Sequence, residues 1–156
     1  ARRLIRFATE DIGLADNSAL TLAVSVYQAC HFLGMPECNI HLTHAVVYLS
    51  LAPRSNSVYM AYENAKKDAL NMLSEPVPLA IRNASTGLMK ELDYGKGYVY
   101  AHDTKEKIAR MECLPESLKG TRYYIPGEAG EEKKQAERLK DVQRFREEGE
   151  SPVDAG

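Results

Sequence analysis

A long block that is almost free of charge, residues 13–54, constrains the fold of this chain more than any other feature. No Asp, Glu, Lys or Arg lies between Asp16 and Glu37, and none lies from Cys38 to Pro53. Polar side chains recur throughout both runs, which argues against a segment that spans a membrane. The block is therefore expected to lie inside a folded protein, and no association with a membrane is predicted.

Both uncharged runs have the boundaries that helices have. Asp16 and Asn17 can cap the first helix, and Gly34 can end it in a left-handed conformation. Pro36 suits the first turn of the second helix, and Pro53 prevents that helix from continuing. The sequence therefore predicts two central helices that are adjacent and antiparallel.

Each of these two helices is apolar on two faces. On the first helix, the two faces carry Leu20, Ala23, Val24, Tyr27 and His31, and Leu22, Val26, Ala29 and Leu33. On the second helix, they carry Ile40, His44, Val47 and Leu51, and Leu42, Ala45, Val46 and Leu49. A helix with two apolar faces needs a neighbour on each of them. Both helices are therefore placed at the centre of an all-α domain, where self-association explains a second apolar face as well as burial does.

The flanking segments extend this centre into a helical bundle of about five to six helices. Residues 2–12 are predicted to form a short helix that ends at Gly13. A longer helix is predicted to begin at Ser55 or Ser57 and to end near Leu73. The face of this longer helix that is predicted to point inward carries Val58, Tyr62, Ala65, Ala69 and Met72.

Extended straps rich in Pro and Tyr are predicted to connect the later helices. Pro76 and Pro78 exclude a helix for the segment around them. Short helices are predicted for residues 85–92 and 105–111, and residues 93–100 supply a glycine turn followed by extended chain.

The composition changes at residue 127, which we take as the boundary between a helical domain, residues 1–126, and a charged tail, residues 127–156. Glu, Lys and Arg dominate the tail, and its narrow apolar stripe consists of Leu139, Val142 and Phe145. The tail is predicted to be partly helical or disordered. It is expected to form either a solvated or frayed helix, which the composition favours, or a docked or partner-contacting helix. Residues 151–156 are predicted to be disordered.

The overall composition limits the function and the cellular compartment. A formal net charge of −2 lacks the basic excess of a dedicated duplex-DNA binder. Three cysteines form no recognisable disulfide framework, and no signal peptide is visible, so reduced thiols in the cytoplasm are expected. The first residue is Ala1, which fits a fragment of a longer protein.

No catalytic motif is recognisable in the chain. Gly95 and Gly97 suggest a phosphate-binding loop, but Lys96 is followed by glycine rather than by Ser or Thr. A structural turn with a glycine at positive φ is the better interpretation. No cofactor site is therefore predicted in this chain.

A group of Cys and His side chains raises two further hypotheses, a zinc site and a cysteine nucleophile. The group consists of Cys30, His31, Cys38, His41 and His44. Its spacing departs from the common structural zinc patterns, so buried cysteines and hydrogen-bonded histidines are the preferred interpretation. Cys38 near a helix start would gain thiolate character, but no third, orienting group is identifiable. No metal ligand and no catalytic residue is predicted.

Tyrosines and cations alternate in the later part of the chain: Tyr94, Tyr98, Tyr100, Tyr123 and Tyr124 with Arg82, Lys90, Lys96 and Arg122. Three interpretations remain open, which are single-strand nucleic-acid binding, a protein interface, and a layer that covers the helical core. The candidate contacts to DNA or to a partner protein are Arg54, Arg82, Lys90, Lys96, Tyr98 and Arg122.

Five blocks of sequence together resemble one family. They are RFATEDIGLAD, QACHFLGMPEC, AVVYLSLAPRS, VPLAIRNASTGLMKELDYGKGYVY and LPESLKGTRYY. Residues 1–124 resemble the C-terminal part of the MgsA/RarA AAA+ ATPases, the replication-associated recombination proteins, which include the Werner helicase-interacting protein. The resemblance does not extend clearly over residues 127–156.

This resemblance implies a collar-like, non-catalytic assembly domain, related to those of clamp loaders, that joins several copies of the protein, typically into a homotetramer. It implies an upstream AAA+ module that binds ATP and Mg²⁺, and action at stalled replication forks in DNA replication, recombination and repair. The implied partners are DNA and fork proteins such as single-strand-binding protein, and the implied location is the bacterial cytoplasm, at the nucleoid. The phosphate-binding loop and the acidic magnesium motif of the family are absent here, so its catalytic residues transfer to no position in this chain.

Overall fold

Six α-helices and several short 3₁₀ turns make up the protein in a computed structural model that describes residues 1–72 and 75–148. The helices are α1 (Arg2–Phe7), α2 (Ser18–Leu33), α3 (Asn39–Leu51), α4 (Ser57–Asn71), α5 (Gly87–Glu91) and α6 (Glu132–Glu147). No strand occurs within these two ranges, which confirms the all-α prediction. The chain divides into two units, of which the first contains Ala1–Asp68 and Arg122–Arg138 and the second contains Ala69–Thr121 and the described residues from Leu139 onward.

The first unit is built on α1, α2 and α3. Helix α1 continues into a π-helical turn, Ala8–Ile12, before the chain turns at Gly13. The buried core cluster consists of Ala8, Ile12, Ala19, Ala23 and Leu49. The alanines among these residues let the helices approach closely, which increases the number of van der Waals contacts. Leu4 and Ile5 pack against the same cluster, so together with Ala8 and Ile12 they form the inward side of this segment.

Helices α2 and α3 pack against each other as a hairpin, as predicted. Asp16 holds the start of α2, because its Oδ1 accepts a hydrogen bond from the Ser18 amide at 2.9 Å. Its Oδ2 accepts a second bond from the Tyr48 hydroxyl at 2.7 Å, which ties α3 to the start of α2. Gly34 ends α2 with φ at +72°, a conformation that favours glycine.

The start of α3 differs from the prediction. Pro36 lies in the turn between the helices rather than in the first turn of α3, and the helix begins at Asn39. The turn is closed by the Cys38 amide, which donates a hydrogen bond to the Gly34 carbonyl at 3.0 Å. Because this hydrogen bond closes a turn before the helix, α3 begins after the turn and not at the position that the proline favours.

Helix α4 confirms the existence of the longer predicted helix and part of its inward face. Leu73, where the helix was predicted to end, lies outside the described residues. Ala65 and Met72 are half-buried as predicted, whereas Val58 and Tyr62 are 36% and 60% exposed. Ala61, which was not part of the predicted face, is also half-buried, so the buried side of the helix is rotated relative to the prediction and overlaps it only in part.

Polar contacts at both ends of α4 explain this rotation. At the start, the Ser57 hydroxyl donates a hydrogen bond to Glu132 Oε1. Near the other end, Asp68 Oδ2 accepts a bond from the Tyr123 hydroxyl at 3.0 Å. Ser57 and Asp68 are polar, and a hydropathy pattern assigns polar side chains to the solvent side of a helix. Apolar periodicity alone therefore cannot locate the buried side of α4.

The second unit contains α5 and a series of turns. Thr86 caps α5, because its hydroxyl accepts a hydrogen bond from the Met89 amide at 3.3 Å, and the helix predicted for residues 85–92 is confirmed. The helix predicted for residues 105–111 is wrong. There the Thr104 hydroxyl bridges the carbonyl of Ala101 and the backbone of Ile108, which closes a loop in place of a helical turn.

The charged tail begins with residues that belong to the first unit. Arg122–Arg138 cluster with Ala1–Asp68, so the predicted boundary at residue 127 does not coincide with the division between the units. Within the second unit, the later part of α6 is docked: Leu139, Val142 and Phe145 are half-buried, and the Arg110 guanidinium lies 4.0 Å from the centre of the Phe145 ring.

Two further predictions concern membranes and the end of the chain. Over residues 1–72 and 75–148, no helix combines the length and the apolar character needed to cross a membrane. The prediction of disorder for residues 151–156 lies outside the described residues.

Candidate functional site

The side of α3 that points away from the core carries apolar side chains that no other described part of the chain covers. Ile40, Val47 and Leu51 are 74%, 53% and 82% exposed, and His44 between them is also exposed. These four residues share one side of the helix, whereas Leu49 on the other side is 1% exposed. Of the two apolar faces predicted for this helix, one therefore forms core and the other lies open. We call the open face, Ile40, His44, Val47 and Leu51, the outer face of α3.

Helix α2 and the turn that follows it also expose apolar side chains. Leu20, Val24 and Tyr27 form a half-exposed stripe along α2. Phe32 and Met35, at the tip of the hairpin, are 80% and 70% exposed. Exposed apolar side chains in such a number are typical of a surface that binds another protein.

The outer face of α3 is also electrically neutral apart from its histidine. Helix α3 contains no Asp, Glu, Lys or Arg, and the nearest charged side chain before it is Glu37. A surface without cations offers no attraction to the phosphates of nucleic acid. Its chemistry therefore suits an apolar protein surface.

The first unit is closed by the segment 127–132, which precedes and starts α6. The Glu131 amide donates a hydrogen bond to the Ala15 carbonyl at 2.8 Å, and Asn17 Nδ2 donates one to the Glu131 carboxylate at 2.8 Å. Gly130 has φ at +54°, and a Cβ added there would lie 2.1 Å from the Ala15 oxygen. Only glycine can occupy this position without displacing the start of α2.

Glu132 is the one charged side chain of the described residues that is completely buried, with no exposed surface. Its Oε1 accepts hydrogen bonds from the Ser57 hydroxyl and, at 2.8 Å, from the Tyr124 hydroxyl, whereas its Oε2 forms none of regular geometry. Burial acts to raise the pKa of Glu132, but Ser55, Ser57 and Tyr124 outweigh it, and the pKa lies below its ordinary value. Burial and the bond to Glu132 raise the pKa of Tyr124 to about 12.

This carboxylate was not singled out from the sequence. Glu132 lies in a run of glutamates and lysines that looks uniform, so nothing local distinguishes it from Glu131 or Glu128. The only usable signal was Gly127 and Gly130 before the run, since glycines mark positions where the backbone approaches another segment.

Two of the predicted contact cations have partners inside the second unit. The Arg82 guanidinium lies 5.2 Å from the centre of the Tyr94 ring and donates hydrogen bonds to the Tyr94 hydroxyl and to the Val77 carbonyl. Lys96 pairs with Asp93 at 2.9 Å. Arg82 therefore stabilises its own unit, and the charge of Lys96 is partly neutralised.

The other four predicted contact residues are divided between the units. Lys90 and Tyr98 are exposed in the second unit, and 53% of the Tyr98 surface is accessible. Arg54 and Arg122 belong to the first unit, where the Arg54 guanidinium lies 5.3 Å from the centre of the Phe7 ring. Lys90 and Tyr98 are thus the predicted pair that the second unit presents to solvent.

Of the tyrosines that alternate with cations, those other than Tyr94 fall into two groups, and each group fits one of the interpretations that the sequence left open. Tyr123 and Tyr124 donate hydrogen bonds to Asp68 and Glu132 within the first unit, as a layer that covers the helices would. Tyr98 and Tyr100 are about half exposed, so they are accessible to a partner.

The cysteine and histidine group has no feature of a reactive centre. Cys38 is 3% exposed, and burial together with the neighbouring Cys30 thiol raises its pKa. The thiolate character expected for a cysteine near a helix start is therefore wrong, because desolvation disfavours the charged form. In the described part of the chain, no three His, Cys, Asp or Glu side chains are grouped so that they could hold a metal ion.

Comparison with known proteins decides the family. A family model described as the MgsA AAA+ ATPase C terminal matches residues 1–143. This chain belongs to the MgsA family. The match covers the whole hairpin of α2 and α3 and all but the last turn of α6, and it confirms the resemblance to the MgsA/RarA proteins. It also corrects the limit that the sequence set to this resemblance, because the match continues beyond residue 127 to residue 143.

Relatives within the MgsA family carry the name replication-associated recombination protein A. The Coxiella burnetii protein is 44% identical over 99% of this chain and 36% of its own length. The Haemophilus influenzae protein is 42% identical over 98% of this chain and 34% of its own length. The Escherichia coli K12 protein is 41% identical over 89% of this chain and 31% of its own length. The chain thus spans about a third of the length of these curated relatives.

Proposed function

We propose that this chain is the assembly domain of a DNA-acting AAA+ ATPase of the MgsA family, and that it has no catalytic role of its own. In this proposal the domain forms a collar that joins several copies, typically four, so that ATPase modules outside the chain work side by side. The observation that carries the proposal is the outer face of α3, which is apolar and uncovered. A helix that is apolar on two faces needs a neighbour on each of them, and one of the two faces of α3 has none among the described residues.

The activity of the whole protein is part of the same proposal. The upstream module binds and hydrolyses ATP with Mg²⁺, and the assembled protein acts on DNA at stalled replication forks together with single-strand-binding protein. We place this activity in the bacterial cytoplasm, at the nucleoid. The names of the relatives, which refer to replication and recombination, support this assignment.

Sedimentation equilibrium of the 156-residue chain at micromolar concentration tests the assembly function. We expect a mass that is a multiple of the monomer mass and that falls on dilution. A strict monomer over the whole concentration range would reject the proposal.

A second candidate function is contact with single-stranded or junction DNA by residues 82–124. The exposure of both Tyr98 and Lys90 in the second unit favours it, because aromatic rings stack on bases and cations attract phosphates. Fluorescence anisotropy with labelled forked DNA should show binding at low salt that weakens at high salt and in the variant Lys90→Glu. The variant Lys140→Glu makes the same charge change on α6 and serves as control. No binding of the unmodified chain at low salt would reject this candidate.

A further inference from the structure

The four residues of the outer face of α3 are spaced symmetrically, so the intervals between them are the same when the helix is followed from either end. Its residues follow one another at intervals of four, three and four positions, from Ile40 through His44 and Val47 to Leu51. These intervals are those of the seam along which two helices pack in a coiled coil. Because the order of intervals is symmetric, an antiparallel copy of the helix meets the same spacing. Ile40 then lies opposite the partner subunit's Leu51, and His44 lies opposite the partner subunit's Val47.

The absence of charge on α3 favours an identical partner over a charged one. A twofold axis brings the same surface of two copies together, so every charged group near the axis would face a like charge. Helix α3 has no Asp, Glu, Lys or Arg to create this repulsion. For the same reason it has nothing to attract the phosphates of DNA or a strongly charged protein.

The exposed apolar side chains around this face supply a large part of the surface that a stable contact needs. Phe32 and Met35 at the hairpin tip, 80% and 70% exposed, precede Ile40 closely in the chain. With the three apolar residues of the outer face, they expose several hundred Å² of apolar surface, which together with a polar rim approaches the ~800 Å² per partner of a standard interface. Monomeric proteins rarely leave a patch of this kind open.

We infer that α3 packs antiparallel against α3 of a second copy of this chain, about a twofold axis between His44 and Val47. This inference rests on the proposed assembly function and specifies the surface that carries it. The two pairs of His44 and Val47 lie at the centre of the contact, and Ile40 of each copy lies against the partner subunit's Leu51 at the two ends. In a larger assembly it supplies one of the repeating contacts.

Charge introduced at paired positions tests this arrangement by sedimentation equilibrium of the 156-residue chain. Ile40→Lys and Leu51→Glu each place a charge against an apolar side chain, and we expect each to weaken the association at least tenfold. The double variant Ile40→Lys/Leu51→Glu places opposite charges face to face only if the helices are antiparallel, and it should recover most of the association. Leu70→Lys, at a position that is 61% exposed on α4, is the matched control and should leave the mass unchanged.

The outcomes separate this inference from the function on which it rests. Circular dichroism should show unchanged helix content in all four variants, since the substituted positions are exposed. An unmodified chain that stays monomeric overturns the assembly function and the inference together. Association that persists in Ile40→Lys overturns the inference and leaves the assembly function standing. Association lost in Ile40→Lys but not recovered in the double variant overturns the antiparallel pairing.

Discussion

At the scale of single residues, Glu132 combines full burial with a negative charge. Its carboxylate faces the hydroxyls of Ser57 and Tyr124 and lies in the first turn of α6, where the unpaired amides of a helix favour an anion. A buried carboxylate needs such donors, because without them the free-energy cost of removing its charge from water would disfavour burial. Glu132 therefore fixes α4 and the segment around Tyr124 to the start of α6.

The lowered pKa of Glu132 predicts how the stability of the protein depends on pH. Because the pKa in the folded protein lies below the ordinary value of 4.5, the ionised group contributes stability above that pH. This contribution is lost as the pH falls through the lowered pKa. Glu132→Gln should cost about 1–3 kcal/mol in the free energy of unfolding at neutral pH, since a charge-assisted acceptor is replaced by an amide.

Urea denaturation at about pH 7 and about pH 4 checks this prediction. The difference in free energy of unfolding between the unmodified chain and Glu132→Gln should become smaller in acid. Glu128→Gln, at an exposed carboxylate on the same segment, should cost little at either pH. A difference for Glu132→Gln that stays constant or grows on acidification would contradict the assignment.

The burial of Cys38 predicts its reactivity among the three cysteines. Its raised pKa keeps the thiol protonated at neutral pH, and the thiolate is the form that reacts. Cys113 is exposed and should be alkylated first by iodoacetamide under native conditions, with Cys38 labelled slowest. Peptide mass spectrometry over a time course measures the order. Equal rates for Cys38 and Cys113 would show that the fold does not shield Cys38.

At the scale of elements, hydrogen bonds of polar side chains decide which side of a helix is buried and where a helix gives way to a loop. The sequence predicted α2 and α3 because Asp16, Gly34 and Pro53 mark their ends and the apolar positions repeat with helical period. It misplaced the buried side of α4, and it assigned a helix to residues 105–111, because the deciding groups are hydroxyls that bind the backbone or a distant carboxylate. Such contacts leave no periodic signal.

The contact between Gly130 and the start of α2 gives a prediction at this scale. Gly130→Ala should lower the free energy of unfolding by about 2 kcal/mol or more, because the new Cβ would lie 2.1 Å from the Ala15 oxygen in a left-handed conformation. Gly97→Ala is the matched control, since Gly97 also has positive φ but no atom within 4 Å of the added Cβ, and it should cost about 1 kcal/mol. Thermal denaturation of both variants decides, and equal losses would contradict the close approach.

At the scale of the whole molecule, the first unit is assembled from two distant parts of the chain. The contact between Asn17 and Glu131 joins residues that are 114 positions apart. The sequence placed a boundary at residue 127 because the composition changes there, but composition records solvent exposure on average and not the few buried contacts that a charged segment makes. The candidate contact residues were similarly chosen by type, and the partners of Arg82 and Lys96 became visible only in the folded chain.

Truncation of the chain after Pro126 tests how far the stability of the first unit depends on the residues that follow. A chain that ends at Pro126 lacks Gly130, Glu131 and Glu132, and we expect its thermal midpoint to fall by more than about 10 °C or its unfolding to lose cooperativity. A chain that ends at Glu148 retains every contact described above and should unfold like the full chain. Differential scanning calorimetry of the two truncated chains measures this. A midpoint for the shorter chain that matches the longer one would show that the segment is dispensable.

Because Glu131 forms hydrogen bonds with Ala15 and Asn17, the first unit can complete its folding only after residue 131 has been translated. The ribosome releases α2 and α3 long before residue 131 has been translated, so these apolar helices emerge without the segment that closes them. Between the end of α3 at Leu51 and Glu131 another 80 residues must be added, and during this time the nascent chain exposes its least polar surface. The chain therefore most needs chaperones while residues 52–131 are being translated, and the folding rate of the first unit is limited by a contact between residues that are 114 positions apart.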